Sequence, residues 1–284
     1  MRVMNGTKKF LTTFLYFLFA IIFSFFFMVP LWQIFVGAFS TLPDIMAGGF
    51  RLYPRAVSWN WPRLLEVAIY PSIPTMFGNT ILYSMAAVPC IFFSSLAAFG
   101  LARFRAPGLG LVFGVILSTL MLPFTITMIP RFMMFSTFGW INTAWVFYIP
   151  QLSGHAMMIF LLRQFMRNIP KELDDAAKVD GAGYFRLYWS IIMPISKPAL
   201  ATTFIFTFIG AWNDFLGPLV FLNSNEKFPL SLGIITLRHT MGMYIIEWNV
   251  ILLAVLVATL PLLGVFFFFQ RFIIKGVVMS GIKG

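Results

Sequence analysis

The chain has 284 residues, of which 60% are hydrophobic and 10% are charged, and it carries a formal net charge of +11. Soluble domains contain about a quarter charged residues, so this composition excludes an ordinary water-soluble protein and indicates one that lies in lipid. The basic residues stand between apolar runs and not along one face, which favours membrane topology over a nucleic-acid partner. Cys90, the only cysteine, excludes an intrachain disulfide framework and a cysteine-based metal site.

Six apolar runs along the chain are long enough to cross a bilayer. A bilayer core about 30 Å thick needs roughly 20 residues of apolar helix. The first run is too long for the apolar region of a cleavable signal peptide, so we expect it to remain as an anchor. The predicted transmembrane helices are residues 11–39, 73–101, 109–129, 143–162, 199–222 and 248–269. The predicted fold class is therefore all-α, a polytopic membrane protein with six transmembrane helices in a lipid bilayer.

The lysines and arginines of the connecting segments predict the orientation, because cytoplasmic loops carry the excess of positive charge. Fourteen of the 20 lie on one side, and the remaining six are Arg51, Arg55, Arg63, Arg131, Lys227 and Arg238. This excess places both termini, the loop 103–108 and the long segment 163–198 in the cytoplasm. The segments 41–71 and 223–247 are then outside.

These elements predict three parts of the chain. Residues 1–70 contain the first transmembrane helix and the outer loop. Residues 71–275 form a core of five transmembrane helices, which includes the loop 163–198. Residues 276–284 are a cytoplasmic tail.

The cytoplasmic segment 163–198 has the pattern of two short helices. Pro170 opens the first, acidic residues occupy its first turns where the helix dipole favours anions, and Gly181 offers a left-handed stop. The second is predicted over residues 184–192 and ends at Pro194. In the first helix a face with small side chains permits close approach by a partner, and its members are Leu173, Ala176, Ala177 and Asp180.

The same segment resembles a known signature. The pattern Asp175-Ala176-Ala177, three residues, Gly181, nine residues, Ile191-x-Met193-Pro194 is similar to the E-A-A-x3-G-x9-I-x-L-P motif of permease subunits of bacterial ABC importers. Asp replaces Glu at 175 and Met replaces Leu at 193. The resemblance implies that the loop is a coupling helix seated in a cleft of a separate cytoplasmic ATPase. The implied ATPase-coupling residues are Glu172, Asp175, Ala176, Ala177, Asp180, Gly181, Ile191 and Pro194.

Further stretches resemble the maltose and glycerol-3-phosphate type of carbohydrate permeases, and within it the shorter six-helix partner of a heterodimer. They are residues 98–108, residues 121–130 and the ending Gly281-x-Lys283-Gly284. The resemblance implies that Gly281, Lys283 and Gly284 reach toward the ATPase. It also implies a multi-pass protein of the prokaryotic plasma (inner) membrane. The implied partners are a second permease subunit, an ATPase dimer, an extracytoplasmic solute-binding protein and a carbohydrate substrate.

The sequence shows no pattern of a catalytic or nucleotide site. It lacks a phosphate loop of the GxxxxGK[ST] type, a Ser/His/Asp set and paired carboxylates in a cleft. His155 and His239 stand far apart, which does not predict a metal site. We therefore predict that the chain is not an enzyme and holds no cofactor, and that ATP and Mg are bound by the partner ATPase.

Asp214 is the only carboxylate within a predicted apolar helix. A charge there costs about 2.5 to 3.5 kcal/mol on insertion scales, so the side chain should face a cavity. Trp212 can stack on a sugar ring, and Asn213 and Asp214 can hydrogen-bond its hydroxyls, so these three are the candidate substrate pathway. The alternative is that Asp214 makes an interhelical hydrogen bond near the outer interface. Other polar residues of the spans are interpreted as packing residues, namely Asn79, Gln151, Ser153 and His155.

Two alternative functions remain open. The first is an importer of the same architecture for another solute, such as a polyamine, phosphate or an oligopeptide. The second is a membrane-embedded enzyme or an ion channel without an ATPase, for which intramembrane catalytic clusters or repeated polar pore rings are expected and are not visible in the sequence.

Overall fold

The computed structural model describes the backbone of residues 6–67, 71–240 and 246–281, and the side chains of residues 10–66, 71–235 and 246–271. The regular secondary structure of these residues is helical, with loops between the helices, and the structure assigns no strand there. An isolated antiparallel bridge joins Ser40 and Val57. The predicted all-α class is confirmed.

Sixteen α-helices are assigned within the described residues. They are α1 (Gly6–Ala38), α2 (Leu42–Met46), α3 (Trp61–Val67), α4 (Ile73–Ser84), α5 (Ala87–Arg103), α6 (Leu109–Ser118), α7 (Phe124–Thr137), α8 (Trp145–Tyr148), α9 (Ala156–Arg167), α10 (Glu172–Val179), α11 (Tyr184–Leu187), α12 (Met193–Ile195), α13 (Lys197–Trp212), α14 (Leu216–Phe221), α15 (Leu230–Thr240) and α16 (Trp248–Gly281). Short 3-10 helices lie at Thr119–Met121, Ile149–Ser153 and Asn225–Lys227, and a π-helix lies at Tyr188–Ile192.

Four helical stretches of the described chain are long and apolar enough to cross a membrane by themselves. They are Phe10–Ala38, Ile73–Arg103, Trp145–Arg167 and Trp248–Arg271. Two bent pairs pass the same test together, Leu109–Met121 with Phe124–Thr137 at 99° and Tyr184–Ile195 with Lys197–Trp212 at 77°. The count is therefore four, or six if each bent pair is one span.

The two bent pairs correct the outlines of two predicted spans. The third was expected to run unbroken over 109–129, but the helix stops before Pro123, where Leu122 has an extended backbone with φ −87° and ψ 109°. The proline ring disfavours helical geometry in the residue before it, which favours a break at this position. The fifth was expected over 199–222, but α13 ends at Trp212 and α14 begins at Leu216. Asp214 thus lies between two helices and not inside one.

The chain divides into two compact units. The first comprises Met1–Ile69 and Thr236–Thr259, and the second comprises Tyr70–Ile235 and Leu260–Gly284. The three-part division drawn from the sequence stays a prediction.

In the first unit, the buried side chain of Asn60 forms hydrogen bonds to two other segments of the chain. Its amide nitrogen donates to the carbonyl oxygens of Ala38 and Ser40 at 2.8 and 2.9 Å, and its side-chain oxygen accepts from Asn249 at 2.8 Å. Buried amides that satisfy one another in this way hold neighbouring elements in a defined register. Along α1 the side chains from Phe10 to Phe27 are all exposed, as expected for a helix that contacts lipid.

In the second unit, α5 and α9 pack along each other. Their facing residues belong to a buried cluster together with residues from the segment 163–198. The cluster consists of Ala98, Phe99, Leu162, Met166, Ile169, Ala177, Leu187, Tyr188 and Ile192. The core of this unit thus joins two spans to the predicted coupling loop.

Candidate functional site

Helix α10 is the first half of the predicted coupling loop, and Gly181 ends it as predicted. Gly181 has φ +74°, in the left-handed region that glycine tolerates best. Its N–H donates to the carbonyl of Lys178 at 3.0 Å, and the N–H of Ala182 donates to the carbonyl of Ala177 at 2.8 Å. These two hydrogen bonds form the Schellman arrangement that closes a helix at a glycine. The predicted left-handed stop is confirmed.

The inner face of α10 carries Asp174 and Ala177, which are three residues apart and both buried. Ala177 packs in the cluster with Phe99 of α5 and Leu162 of α9. The predicted partner-facing set of Leu173, Ala176, Ala177 and Asp180 is therefore wrong in one member. Ala177 holds the helix to its own chain.

The outer face of α10 is exposed and ends in an apolar residue. The side chains on this face are Glu172, Leu173, Asp175, Ala176, Val179 and Asp180. Val179 is 88% exposed, and after the turn Phe185 is 79% exposed and lies parallel to Trp189 with ring centroids 6.5 Å apart. An exposed apolar patch rimmed by charges is typical of a protein-binding surface. Val179 and Phe185 were not predicted from the sequence, although apolar residues in a charged loop that is predicted to be cytoplasmic were a usable signal.

A buried ion pair ties α10 to the end of α5. Arg103 Nε lies 3.5 Å from Asp174 Oδ2, and the two side chains are 1% and 11% exposed. Arg103 also donates from Nη1 to the carbonyl of Ile169 at 3.1 Å. Charges buried this deeply are tolerated only when they are paired, so the pair constrains where α10 can sit.

The second half of the loop returns to the spans through Tyr188. Its hydroxyl lies 2.7 Å from the hydroxyl of Ser95 in α5, and its ring packs 5.2 Å from that of Phe99. Ile191 is half-buried and Pro194 is exposed. The second helix was predicted to end at Pro194, and the continuous helical stretch ends one residue later, at Ile195.

A separate cavity of about 320 Å³ lies within the second unit. Its wall includes the polar side chains of Thr80, Tyr83, Gln151, His155, Thr207 and Asp214. Gln151 and His155 were interpreted as packing residues, whereas the structure places both on the cavity wall. Their polarity within an apolar run was the available signal, but their convergence with residues of α4 and α13 depends on tertiary packing.

The structure separates the three predicted pathway residues. Asp214 lines the cavity, and its Oδ1 accepts the Gly217 N–H at 3.1 Å, which stabilises the start of α14. Trp212 is buried, with its ring edge-to-face to Phe77 at 5.8 Å. Asn213 donates to the carbonyl of Ile209 at 3.0 Å. Asp214 is the member of the three that lines the cavity.

The predicted ATPase-contacting tail falls at the edge of the described chain. Gly281 is the last residue of α16, and Lys283 and Gly284 lie outside the described residues. Their assignment stays a prediction. Among the described residues, no three His, Cys, Asp or Glu side chains cluster as metal ligands would.

Comparison with known proteins agrees with the signature at residues 175–194. Residues 2–279 match the family described as binding-protein-dependent transport system inner membrane component. The arabinooligosaccharides transport system permease protein AraQ of Halalkalibacterium halodurans is 30% identical over 257 residues, covering 90% of this chain and 91% of that protein. The lactose transport system permease protein LacG of Rhizobium radiobacter is 34% identical over 209 residues, covering 73% of this chain and 75% of that protein.

A solved structure supports the fold. It is the crystal structure of a bacterial ABC transporter involved in the import of the acidic polysaccharide alginate, with a TM-score of 0.79 at 22% identity, covering 96% of this chain and 100% of that one. The predicted resemblance to ABC-importer permeases is confirmed. The chain therefore belongs to the family of binding-protein-dependent transport system inner membrane components.

Proposed function

We propose that this chain is a permease subunit of a binding-protein-dependent ABC importer for a carbohydrate, an oligosaccharide or a related sugar. The observation that carries the proposal is the geometry of α10. Its inner face is bound to two spans, while its outer face is bare and ends in the exposed Val179. Relatives named for arabinooligosaccharide and lactose transport support a sugar as the cargo.

The coupling step follows from how α10 is held. A cytoplasmic ATPase dimer, which binds ATP and Mg, binds the outer face of α10. The contacting residues are Glu172, Asp175, Ala176, Asp180 and Gly181. When the dimer closes, α10 moves with it. The Arg103–Asp174 pair and Ala177 then transmit the movement to α5 and α9, because a packed core moves as a rigid body.

The returning half of the loop and the tail complete the contact with the ATPase. Ile191, half-buried, and Pro194, exposed, carry the movement toward α13. Gly281, Lys283 and Gly284 are proposed to contact the ATPase dimer, by resemblance to related permeases. Both termini lie in the cytoplasm of a prokaryotic cell, and a solute-binding protein delivers substrate to the outer segments 41–71 and 223–247.

The substrate path is formed together with a second permease subunit. On this chain Asp214, Gln151 and His155 offer hydrogen-bonding groups on one cavity wall, which suits the hydroxyls of a sugar. Asn213, which is exposed, extends this polar surface, and Trp212 supports it by packing behind the break between α13 and α14.

The test replaces Gly181 by valine. Valine at φ +74° is strained by about 1 to 2 kcal/mol or more, so the end of α10 and the patch beyond it should shift. We expect Gly181→Val to abolish uptake of labelled oligosaccharide in membrane vesicles while ATP hydrolysis continues uncoupled. Gly183→Val is the matched control, because Gly183 is equally exposed but has φ −70° and no atom within 4 Å of an added Cβ.

Normal uptake by the Gly181→Val transporter would overturn the coupling proposal. The uptake panel should contain arabinooligosaccharides, lactose, a polyamine and phosphate. Transport of the polyamine or phosphate without transport of any sugar would contradict a carbohydrate cargo and leave the coupling role intact.

A further inference from the structure

A basic cleft opens beside the predicted coupling loop, at the point where three candidate spans end. It lies between the end of α5, the turn into α6 and the end of α9, and it has a volume of about 660 Å³. Four cationic side chains line it, Arg105, Arg163, Arg167 and Lys171. Its other wall residues include Leu101 and Leu109, which belong to the apolar spans.

One of these cations already interacts with other groups of the same chain. Arg163 donates from Nε to the carbonyl of Leu101 at 3.2 Å, and its guanidinium carbon lies 3.9 Å from the ring centre of Phe113. Arg163 and Arg167 are four residues apart on one helix, so their charges repel each other. Such a placement is unfavourable unless a negative group sits between them.

The remaining three cations have exposed heads and no carboxylate partner among the described residues. Arg105 and Lys171 also face a neighbouring cleft that contains Asp174 and Asp175. The nearest cation to Asp174 is the buried Arg103, and Asp175 lies 3.6 Å from Lys178 in an exposed ion pair, so neither carboxylate pairs with Arg105 or Lys171. The basic cleft therefore carries an uncompensated positive charge.

We propose that this cleft binds the phosphate of an anionic phospholipid headgroup from the inner leaflet. Guanidinium and ammonium groups that converge on one site suit a phosphate ester, which accepts several charged hydrogen bonds. The cleft sits at the ends of Ile73–Arg103 and Trp145–Arg167, the depth at which headgroups lie. The apolar spans beside it provide a surface for the acyl chains, which a free phosphate would not need. This inference goes beyond the transport proposal and does not depend on the cargo.

The test compares two double variants of the full-length chain, purified together with whatever subunits co-purify. Arg105→Gln/Arg167→Gln removes two cleft charges, and Arg55→Gln/Arg131→Gln removes two charges outside the cleft. Native mass spectrometry then measures retention of phosphatidylglycerol against phosphatidylcholine. We expect the unaltered protein and the control to prefer phosphatidylglycerol, and the cleft variant to retain it about tenfold less or worse, because charged hydrogen bonds are lost.

Three results would overturn the proposal. Equal retention of the two lipids by the unaltered protein would exclude a headgroup site. Displacement of phosphatidylglycerol by millimolar inorganic phosphate would show that the cleft takes a free anion. Complete cross-linking of an Arg105→Cys variant to a co-purifying soluble subunit would show that a protein surface, and not lipid, covers the cleft.

Discussion

At Gly154 a single missing Cβ allows two spans to approach. This glycine has φ +73°, and an added Cβ would lie 3.1 Å from the backbone nitrogen and 3.2 Å from the Cα of Ser94 in α5. Backbone atoms of a packed helix cannot move aside as a flexible side chain can. The close approach also lets the Ser94 hydroxyl accept the His155 N–H at 2.9 Å, beside the cavity.

We expect Gly154→Ala to destabilise the protein by about 2 kcal/mol or more, as the sum of backbone strain and overpacking. Gly139→Ala is the matched control, because Gly139 has φ +67° but no atom within 4 Å of an added Cβ. It should cost only the strain, about 1 kcal/mol. Thermal unfolding in detergent measures both. Equal midpoints for the two variants would show that the contact with Ser94 contributes nothing.

Arg103 and Asp174 give a second prediction about single residues. Removing one partner leaves the other charge buried, so Asp174→Ala should destabilise the protein by about 3 kcal/mol. The double variant Arg103→Leu/Asp174→Ala removes both charges and should recover a large part of that loss. Thermal unfolding of the two single variants and the double variant completes the cycle. If the single and double losses simply add, the two residues are not coupled across α5 and α10.

At the scale of the elements, the local structure of the predicted coupling loop was the most predictable part of the chain. Its signals are local: acidic residues in the first turn of α10, a glycine at the left-handed position and a proline near the return. The burial of Ala177 against its own chain was not predictable, because a small side chain suits a partner surface and a tight internal contact equally well. Only the packing against Phe99 distinguishes the two.

The breaks in the two bent spans could not be predicted from amino-acid composition alone. Pro123 was visible in the sequence, but many transmembrane helices continue through a proline, so the 99° bend depends on the surroundings. At the break between α13 and α14, Asp214 accepts a hydrogen bond from the Gly217 amide, and hydrophobic periodicity does not predict such a local contact. The cavity joins Thr80, His155 and Thr207 from distant parts of the chain, which sequence spacing cannot show.

An ion pair between α3 and the residue before α16 should make the first unit sensitive to acid. Glu247 accepts hydrogen bonds from Arg63 at 3.1, 2.9 and 2.5 Å, and this bonding lowers the pKa of the carboxyl below its ordinary value. A lowered pKa means that the stabilisation is fully present above the ordinary value of 4.5 and is lost as the pH falls through the lowered one.

We therefore expect the midpoint of thermal unfolding to fall more between pH 5 and acid conditions in the unaltered protein than in Glu247→Gln, which has no such titration. The effect should be small and should weaken with salt, because the pair is partly exposed. Glu66→Gln is the control, since Glu66 receives a single bond of 3.3 Å from the same arginine and is more exposed. An identical acid response in Glu247→Gln and the unaltered protein would contradict the assignment.

At the scale of the whole molecule, the orientation in the membrane is predicted from the distribution of basic residues and not from packing. Fourteen of the 20 basic residues are predicted to lie on the side that carries the predicted coupling loop, and the positive-inside rule predicts that this side is cytoplasmic. The same placement is required if α10 is to meet a cytoplasmic ATPase. The charge distribution and the proposed contact with an ATPase therefore predict the same orientation, which can be tested directly.

The test uses single cysteines in a Cys90→Ala background, since Cys90 is the chain's only cysteine and is buried. Arg55→Cys probes the predicted outer segment and Arg186→Cys the predicted cytoplasmic one, and both positions are exposed. A membrane-impermeant maleimide should label residue 55 in right-side-out vesicles and residue 186 only in inside-out vesicles. Washing the inside-out vesicles with urea removes a peripheral ATPase that would shield residue 186. If residue 186 were labelled from the outside, α10 could not contact a cytoplasmic ATPase, because the exposed face of α10 would lie on the wrong side of the bilayer.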